Sequence, residues 1–322
     1  MEKRADEEVG AMQAMTVGER EIREAVTMKE AVDAVRRAFV DLAGGEFEMP
    51  HRTALRDGQF LAMSAHHRST ASAMFKALSV NFERRPAITG TVVWSETGRP
   101  DQLVADAGAV TALRTGAVVG VATDLLAPPE AGRLTLIGAG GQALDQVRAV
   151  HTVRPLRQLT AVATDLRRAQ DLVERLAPEL AGVDLRATTD VVSAVGQAEI
   201  VCCATNATSP LFPASTLPAR VHVNAIGAYR PTMRELPDEL LAGSTVFVDE
   251  LSAVLEESGE IIHALEAGAI TRDSLVELGT ALTAPTVDHG ERTVFKSVGV
   301  AVQDWAIARL LADRFLYRAQ EG

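Results

Sequence analysis

The chain has 322 residues, 47% of them apolar and 23% charged, with a formal net charge of −11. That length suits a large core and two domains, and the acidic excess repels phosphate backbones, which argues against nucleic-acid binding. No apolar run reaches about 18 residues without a charge or a breaker, so no membrane span is expected.

The opening stretch, "MEKRADEEVGAMQAM", is charged and lacks the apolar segment of a signal peptide, so residues 1–14 are expected to form a flexible tail. The first clear helix is "TMKEAVDAVRRAFVDLAGG". Thr27 and Glu30 have the spacing of a capping box, Gly44 or Gly45 can end the helix, and Met28, Ala31, Val32, Val35, Phe39 and Leu42 share one face. Strand-like runs follow to about residue 105: "QFLAMSA", "AMFKALSV", "ITGTVVWSE" and "DQLVADA". His66 and His67 fall on a loop between two of them and read as a solvated pair. Asp106 then caps a long helix, "AGAVTALRTGAVVGVATDLLA", that stops before Pro128 and Pro129.

From residue 133 the rhythm changes. "RLTLIGAG", "QLTAVATD", "VDLRATTD", "EIVCCAT", "HVNAIGA" and "TVFVDE" read as strands, and helical stretches follow the first three. The strands are nearly continuous apolar runs, as in a parallel sheet covered on both faces. This is the alternation of a doubly wound α/β domain. Cys202 and Cys203 are neighbours in one such strand and point to opposite faces, which makes them poor partners for each other. With no export signal, this points to a reduced, cytoplasmic protein. After residue 250 come mixed loops and a closing helix near "VGVAVQDWAIARLLADRFLYRAQ".

"LIGAGGQA" carries the pattern G-x-G-x-x-A between a strand and a helix. Gly138 permits the tight turn, Gly140 lets backbone approach a pyrophosphate, and Ala143 allows close helix–strand packing, with the helix N-terminus facing the phosphates. The second strand ends at Asp165, where a carboxylate accepts hydrogen bonds from the adenosine ribose. Asp165 favours NAD(H), because it repels a 2′-phosphate. Arg167 and Arg168 lie just beyond and could accommodate one, so NADP(H) stays open.

Several stretches together resemble the ornithine cyclodeaminase/μ-crystallin family: "FKALSVN", "ALRTGAVVGVAT", "LTLIGAGGQA", "VNAIGAYRPTMREL", "VFVDE" and "VFKSVGVAVQDWAIARLL". They run in order from about residue 49 to 313. The resemblance implies a Rossmann-type dinucleotide-binding domain over 117–299. It also implies a discontinuous α+β domain from 15–116 together with 300–322, which binds substrate and pairs its sheet with a second subunit in a homodimer. By resemblance the cofactor set also includes Thr115, Gly141, Gln142, Thr205 and Ala228, with Lys296 and Ser297 on the nicotinamide side. Asp249 and Asp304 match family positions too, Asp304 reading equally well as an ordinary ion-pair residue.

Arg52 in "MPHRTAL", Lys76 in "MFKALSV" and Arg114 in "TALRTGA" match family positions that contact the substrate carboxylate. Arginine suits this because its fork binds a carboxylate bidentately, and a lysine in an apolar strand needs a partner. Arg52 reads equally well as a solvated loop charge. The chain departs from the family's cyclodeaminases at Tyr229, where many carry a catalytic Asp, and at Thr232, where others place one. The glutamate that some carry after the second strand is also missing, the stretch here reading "FLAMSA". Lys76 and Tyr229 are the candidate catalytic groups, Tyr229 as proton donor or as pocket wall. His51 beside Arg52 reads as a surface residue. No Cys/His set has zinc-like spacing, so no metal is expected.

The expected activity is NAD(P)H-dependent imine reduction, or amino-acid dehydrogenation, on a small α-imino or α-keto acid. The alternatives are an ornithine-type cyclodeaminase that recycles bound NAD and releases ammonia, and a non-catalytic dinucleotide-binding protein like μ-crystallin.

Overall fold

A computed structural model describes residues 14–287 and 290–317, and the flexible tail expected for 1–14 lies outside it up to residue 13. The first sheet contains β1 (Ala14–Val17), β2 (Phe47–Glu48), β3 (Thr53–Leu55), β4 (Phe60–His67), β5 (Ser72–Val80), β6 (Ile88–Glu96) and β7 (Gln102–Asp106). Its order is β1-β7-β6-β5-β4-β2, with β3 also on β4; neighbours are antiparallel except β1 beside β7. Ala14, placed in the tail by the sequence reading, is therefore the start of an edge strand: its backbone pairs with Gln102, and Val17 at the other end is buried.

Helices α1 (Glu19–Ala25), α2 (Met28–Ala43) and α3 (Ala107–Leu126) belong to the same half. The Thr27–Glu30 capping box forms as expected, and α2 buries Ala31, Val32, Val35 and Phe39. Asp106 caps α3 by accepting a 2.7 Å bond from the Ala109 N–H. Among the described residues α3 is the one helix long and apolar enough to cross a membrane, yet 89% of that stretch is buried inside the protein. It is apolar all round because it is surrounded. It packs on α2 and α11 and on strands of both sheets. A Cβ at Gly116 would stand 2.5 Å from the carbonyl oxygen of Asp145, so glycine there sets how near the next helix can come.

The second sheet is wholly parallel. It comprises β8 (Arg133–Ile137), β9 (Gln158–Val162), β10 (Asp184–Thr188), β11 (Ile200–Cys203), β12 (Val221–Ala225), β13 (Thr245–Val248), β14 (Leu275–Glu277) and β15 (Arg292–Lys296). The helices are α4 (Ala143–Val153), α5 (Leu166–Leu176), α6 (Val191–Val195), α7 (Asp238–Ala242), α8 (Leu251–Glu257), α9 (Gly259–Glu266), α10 (Leu278–Thr283) and α11 (Ala301–Ala312). Strand order is β10-β9-β8-β11-β12-β15-β13-β14. The order reverses between β8 and β11, which opens a crevice at their carboxyl ends. Cys202 packs with Leu134 and Leu136 on one face, while Cys203 packs with Val223 and Ala225 on the other.

Two expectations need correction. The mixed loops after residue 250 hold helices α8–α10 and two parallel strands. "LVE" is too short to show a period, and "RTVFK" is bounded by charges, although β15 lies between β12 and β13 in mid-sheet. His66 and His67 are not a solvated loop pair but the end of β4. His67 is buried, 4.7 Å from the rings of both Phe47 and Trp305, with Nδ1 2.8 Å from the Thr70 hydroxyl. Strand pairing with Ser72 turns it inward.

Candidate active site

Between the carboxyl ends of the parallel strands and the first sheet lies a cavity of about 550 Å³. At its floor, Gly138 has φ +111°, and a Cβ there would stand 2.4 Å from the Ala204 carbonyl oxygen. A Cβ on Gly140 or Gly141 would meet nothing within 4 Å, so this turn leaves its backbone bare toward the cleft. Gln142 starts α4, and Ala143 is fully buried against the sheet. Bare backbone at a helix N-terminus fits a pyrophosphate. Thr115, Gly138, Gly140, Gln142, Thr205 and Ser297 line the cleft, whereas Gly141, Ala143 and Ala228 do not.

Facing the turn are three cations from three elements. Lys76 stands on β5, Arg114 on α3, and Arg52 between β2 and β3; all line the cleft. Asp304 on α11 joins two of them: its carboxylate is 2.6 Å from Lys76 Nζ and 3.5 Å from Arg114 Nε. Both partners of the first pair are inaccessible. Burial pulls Lys76 down to about 8; Asp304 works to keep it protonated, while Arg114 and Arg52 oppose this. Arg114 also donates to Gln303 Oε1 at 2.5 Å. Gly299, with φ +84°, makes room for that guanidinium, because a Cβ there would be 2.4 Å from Arg114 Nη1.

Arg52 is not a loose loop charge. It donates to the backbone oxygens of Tyr229 (2.9 Å) and Val298 (3.3 Å), and Nε lies 2.5 Å from Glu257. Burial pushes the Glu257 carboxyl up to about 7, against the pull of Arg52. Three cations thus face two carboxylates, an arrangement that has room for one more anion. Tyr229 lines the cleft between two guanidinium groups, Arg52 5.6 Å and Arg230 5.0 Å from its ring centroid. Its hydroxyl accepts a 2.9 Å bond from Arg230, so its own hydrogen remains available to donate. Burial raises its pKa. His51 is a surface residue 3.1 Å from Glu256.

Beneath the cleft is a buried acid that the sequence reading missed. Glu235 accepts from the N–H of Thr205 (2.7 Å), the Thr205 hydroxyl (2.8 Å), and the N–H groups of Gly227 (2.8 Å) and Ala228 (3.2 Å). It ties the loop after β11 to the loop after β12. Its partners are backbone groups far apart in the chain, so no side-chain spacing advertises it. Lys296 lies below as well, 2.9 Å from Glu260 and donating to the Ala228 oxygen at 2.5 Å. It supports the cleft without lining it. Asp249 holds the next turn, accepting from the Ser297 hydroxyl at 2.7 Å and the Gly299 N–H at 2.9 Å.

The adenosine end differs from expectation. Asp165 and Arg167 are exposed and stand outside the lining. Asp165 caps α5 instead, accepting from the Arg167 N–H at 3.0 Å. Thr164, Arg168 and Thr189 form the wall, and Arg168 Nη2 reaches the Ala139 oxygen at 3.5 Å. Helical geometry explains the exchange: Asp165, three residues past the end of β9, becomes the N-cap, and Arg168, three positions on, turns back over the glycine loop. Among the described residues no aspartate or glutamate lines the cleft.

The sequence model of the ornithine cyclodeaminase/mu-crystallin family matches residues 12–318. The chain belongs to that family. A Delta(1)-pyrroline-2-carboxylate reductase of Bacillus cereus is 31% identical, over 94% of this chain and 97% of its own. The ketimine reductase mu-crystallin of Mus musculus is 36% identical over 65% of this chain and 64% of its own. The solved Delta(1)-pyrroline-2-carboxylate reductase of Thermococcus litoralis, in complex with NADH and L-proline, superposes with a TM-score of 0.89 at 26% identity, covering 95% of this chain and 98% of that one. The family resemblance and the Rossmann-type α/β fold read from sequence both hold.

Lys76 should titrate near 8, visible at its ε-methylene resonance in NMR of lysine-labelled protein. Asp304→Asn should lower that midpoint, because the carboxylate is what holds the proton against burial. A midpoint unchanged or higher in the variant would remove Asp304 from this role. The folded value lies below the ordinary lysine value of 10.5, so charged Lys76 weakens the fold, and this penalty fades as pH rises from about 8 toward 10.5.

Proposed function

We propose that this protein is an NAD(P)H-dependent imine reductase that reduces the C=N bond of a small α-imino acid, the reverse reaction being amino-acid dehydrogenation. One observation carries the reading: among the described residues the cleft is lined by Arg52, Lys76, Arg114 and Arg168 and by no carboxylate. The names of the relatives, pyrroline-carboxylate and ketimine reductases, agree with it.

The reduced nicotinamide, when bound, supplies the hydride. The chain's residues do the rest. Arg52, Lys76 and Arg114 hold the substrate carboxylate and so set the position of the adjacent carbon. The imine nitrogen needs one proton to become the amine, and the Tyr229 hydroxyl or the Lys76 ammonium can give it. Glu235 keeps the two loops beneath the ring site rigid. A cyclodeaminase must first take a proton from an amine. Tyr229, its pKa raised by burial, is a poor base for that step.

Cyclic imino acids, Δ1-pyrroline-2-carboxylate first, should oxidise NADH or NADPH stoichiometrically. Arg114→Ala should lower kcat/KM at least tenfold, since truncating one partner of a buried charge pair costs ~2–5 kcal/mol. Stoichiometric proline and ammonia from L-ornithine, with no net cofactor change, would install the cyclodeaminase reading instead.

Arg168 is the cofactor-discriminating residue in this reading. It holds a 2′-phosphate, while Asp165 stands outside the cleft lining. Fluorescence titration should therefore find NADPH binding weakened about tenfold or more in Arg168→Ala, a charged hydrogen bond contributing ~1.5–3 kcal/mol. NADH affinity should stay within twofold, and Asp165→Ala should leave the preference between the two unchanged. Equal losses for both cofactors in the Arg168 variant would refute the assignment.

The protein works as a homodimer. The outward face of the first sheet exposes Phe60 and Phe75, with Ala62 and Ala77 between them on neighbouring strands. An apolar sheet face of this kind calls for a cover, and a related archaeal alanine dehydrogenase is a dimer. Phe75→Glu should sediment as a monomer where the parent protein sediments as a dimer; two dimers, or two monomers, would count against this interface.

A further inference from the structure

Beyond the cations, the cleft continues as an apolar arm. On β5, Lys76, Leu78 and Val80 share one face, and all three line the cavity. Strand register extends each position into a row. Met63 lies beside Lys76, Leu61 beside Leu78, and Ile88 beside Val80. Alternate residues of a strand advance about 7 Å, so the second row lies about 7 Å and the third about 14 Å from the cations. Phe82 closes the far end, half exposed, its ring 6.5 Å from that of Tyr229. Six apolar side chains, Leu61, Met63, Leu78, Val80, Phe82 and Ile88, form the arm's wall, and among the described residues no carboxylate joins them. Leu61, Leu78 and Val80 are each under 9% exposed although they face the cavity.

We infer that this arm is the substrate's side-chain subsite and that it takes an uncharged alkyl or aryl group. The substrate class is then α-imino acids whose side chain extends past a five-membered ring. The inference rests on the imine-reductase reading for one point only: a carboxylate held by Arg52, Lys76 and Arg114 sends the rest of the ligand along β5. A side chain ending at the Leu61–Leu78 row leaves Ile88 and Phe82 uncovered. A longer apolar one covers them. An ω-ammonium, or a second carboxylate at the depth of the Leu61–Leu78 row, would meet hydrocarbon, and burying an unpaired charge is strongly unfavourable; Arg230, bonded to the Tyr229 hydroxyl, lies beyond that row at the Phe82 end. The stretch "FLAMSA" contributes Leu61 and Met63 to this wall, so where cyclodeaminases of the family carry an acid nearby, the chain presents hydrocarbon.

The test is equilibrium binding, with no turnover. Enzyme saturated with NAD⁺ is titrated calorimetrically with pyruvate, 2-oxobutyrate, 2-oxopentanoate, 2-oxohexanoate, phenylpyruvate and 2-oxoglutarate. Affinity should rise about three- to fourfold with each added methylene. Phenylpyruvate should bind at least as tightly as 2-oxopentanoate, and 2-oxoglutarate at least tenfold more weakly than 2-oxohexanoate. Val80→Thr, close in shape but carrying a hydroxyl, should flatten the chain-length series; a series as steep as the parent's would exclude Val80 from the subsite. If that variant does not fold, the parent series decides alone. Affinity that is flat or falling with length, or 2-oxoglutarate equal to 2-oxohexanoate, overturns the subsite, as does no binding by any of these acids. Failure of the underlying reading looks different: affinity climbs with chain length while no imine oxidises NADH or NADPH. Equal kcat/KM for imines of every side chain keeps the reductase and removes the arm.

Discussion

The buried contact between Lys76 and Asp304 is what the site is built around. It joins a strand of the first sheet to a helix near the end of the chain, 228 positions apart. Neither group touches water. Such a pair gives little net stability, because desolvating two charges offsets most of their attraction. What it fixes is position. With Asp304 set by α11, both Lys76 and Arg114 have one place to be, and the Gly299 turn closes round the second of them.

A second charged group lies under the parallel sheet and acts differently. Glu235, Lys296 and Glu260 form a buried set with two acids and one base, and burial raises the Glu235 pKa. Glu235 bonds to three backbone N–H groups and the Thr205 hydroxyl, and Lys296 pairs with Glu260 and donates to the Ala228 oxygen. The upper cluster organises cations toward a ligand, and the lower one stiffens the loops on which the ligand rests. Together they give the cleft a positive lining on a rigid floor.

Much of this could be read from the chain. The glycine turn, α2 with its capping box, α3 with its Asp106 cap and the first six parallel strands follow from periodicity and local chemistry, which neighbours in sequence determine. The three cations followed from resemblance and apolar setting. The misreadings share a cause. Asp165 carries the right chemistry for a ribose, and the structure adds that one of its oxygens caps α5 while Arg168 lines the cleft. Lys296 was expected on the nicotinamide side by resemblance, yet its side chain turns to Glu260 and does not line the cleft. His67 looked like a loop residue until strand pairing turned it against Trp305. In each case the residue type was legible and the direction of the side chain was not, since direction depends on partners far away in sequence.

The insertion of β15 between β12 and β13 has a consequence for how the molecule comes into being. The strand that completes the middle of the parallel sheet is the last among the described residues, and α11 follows it. During synthesis the early sheet therefore emerges with its Lys76 but without Asp304, and β12 waits for the neighbour it will pair with. Trp305, which packs against Phe47, His67 and Trp94 and donates to the Ser72 hydroxyl at 3.2 Å, arrives at the same moment. Contacts of such wide separation are slow to find because the loops they close are long. The first half of the protein is not finished until α11, which packs on α2, α3 and strands of the first sheet, has left the ribosome.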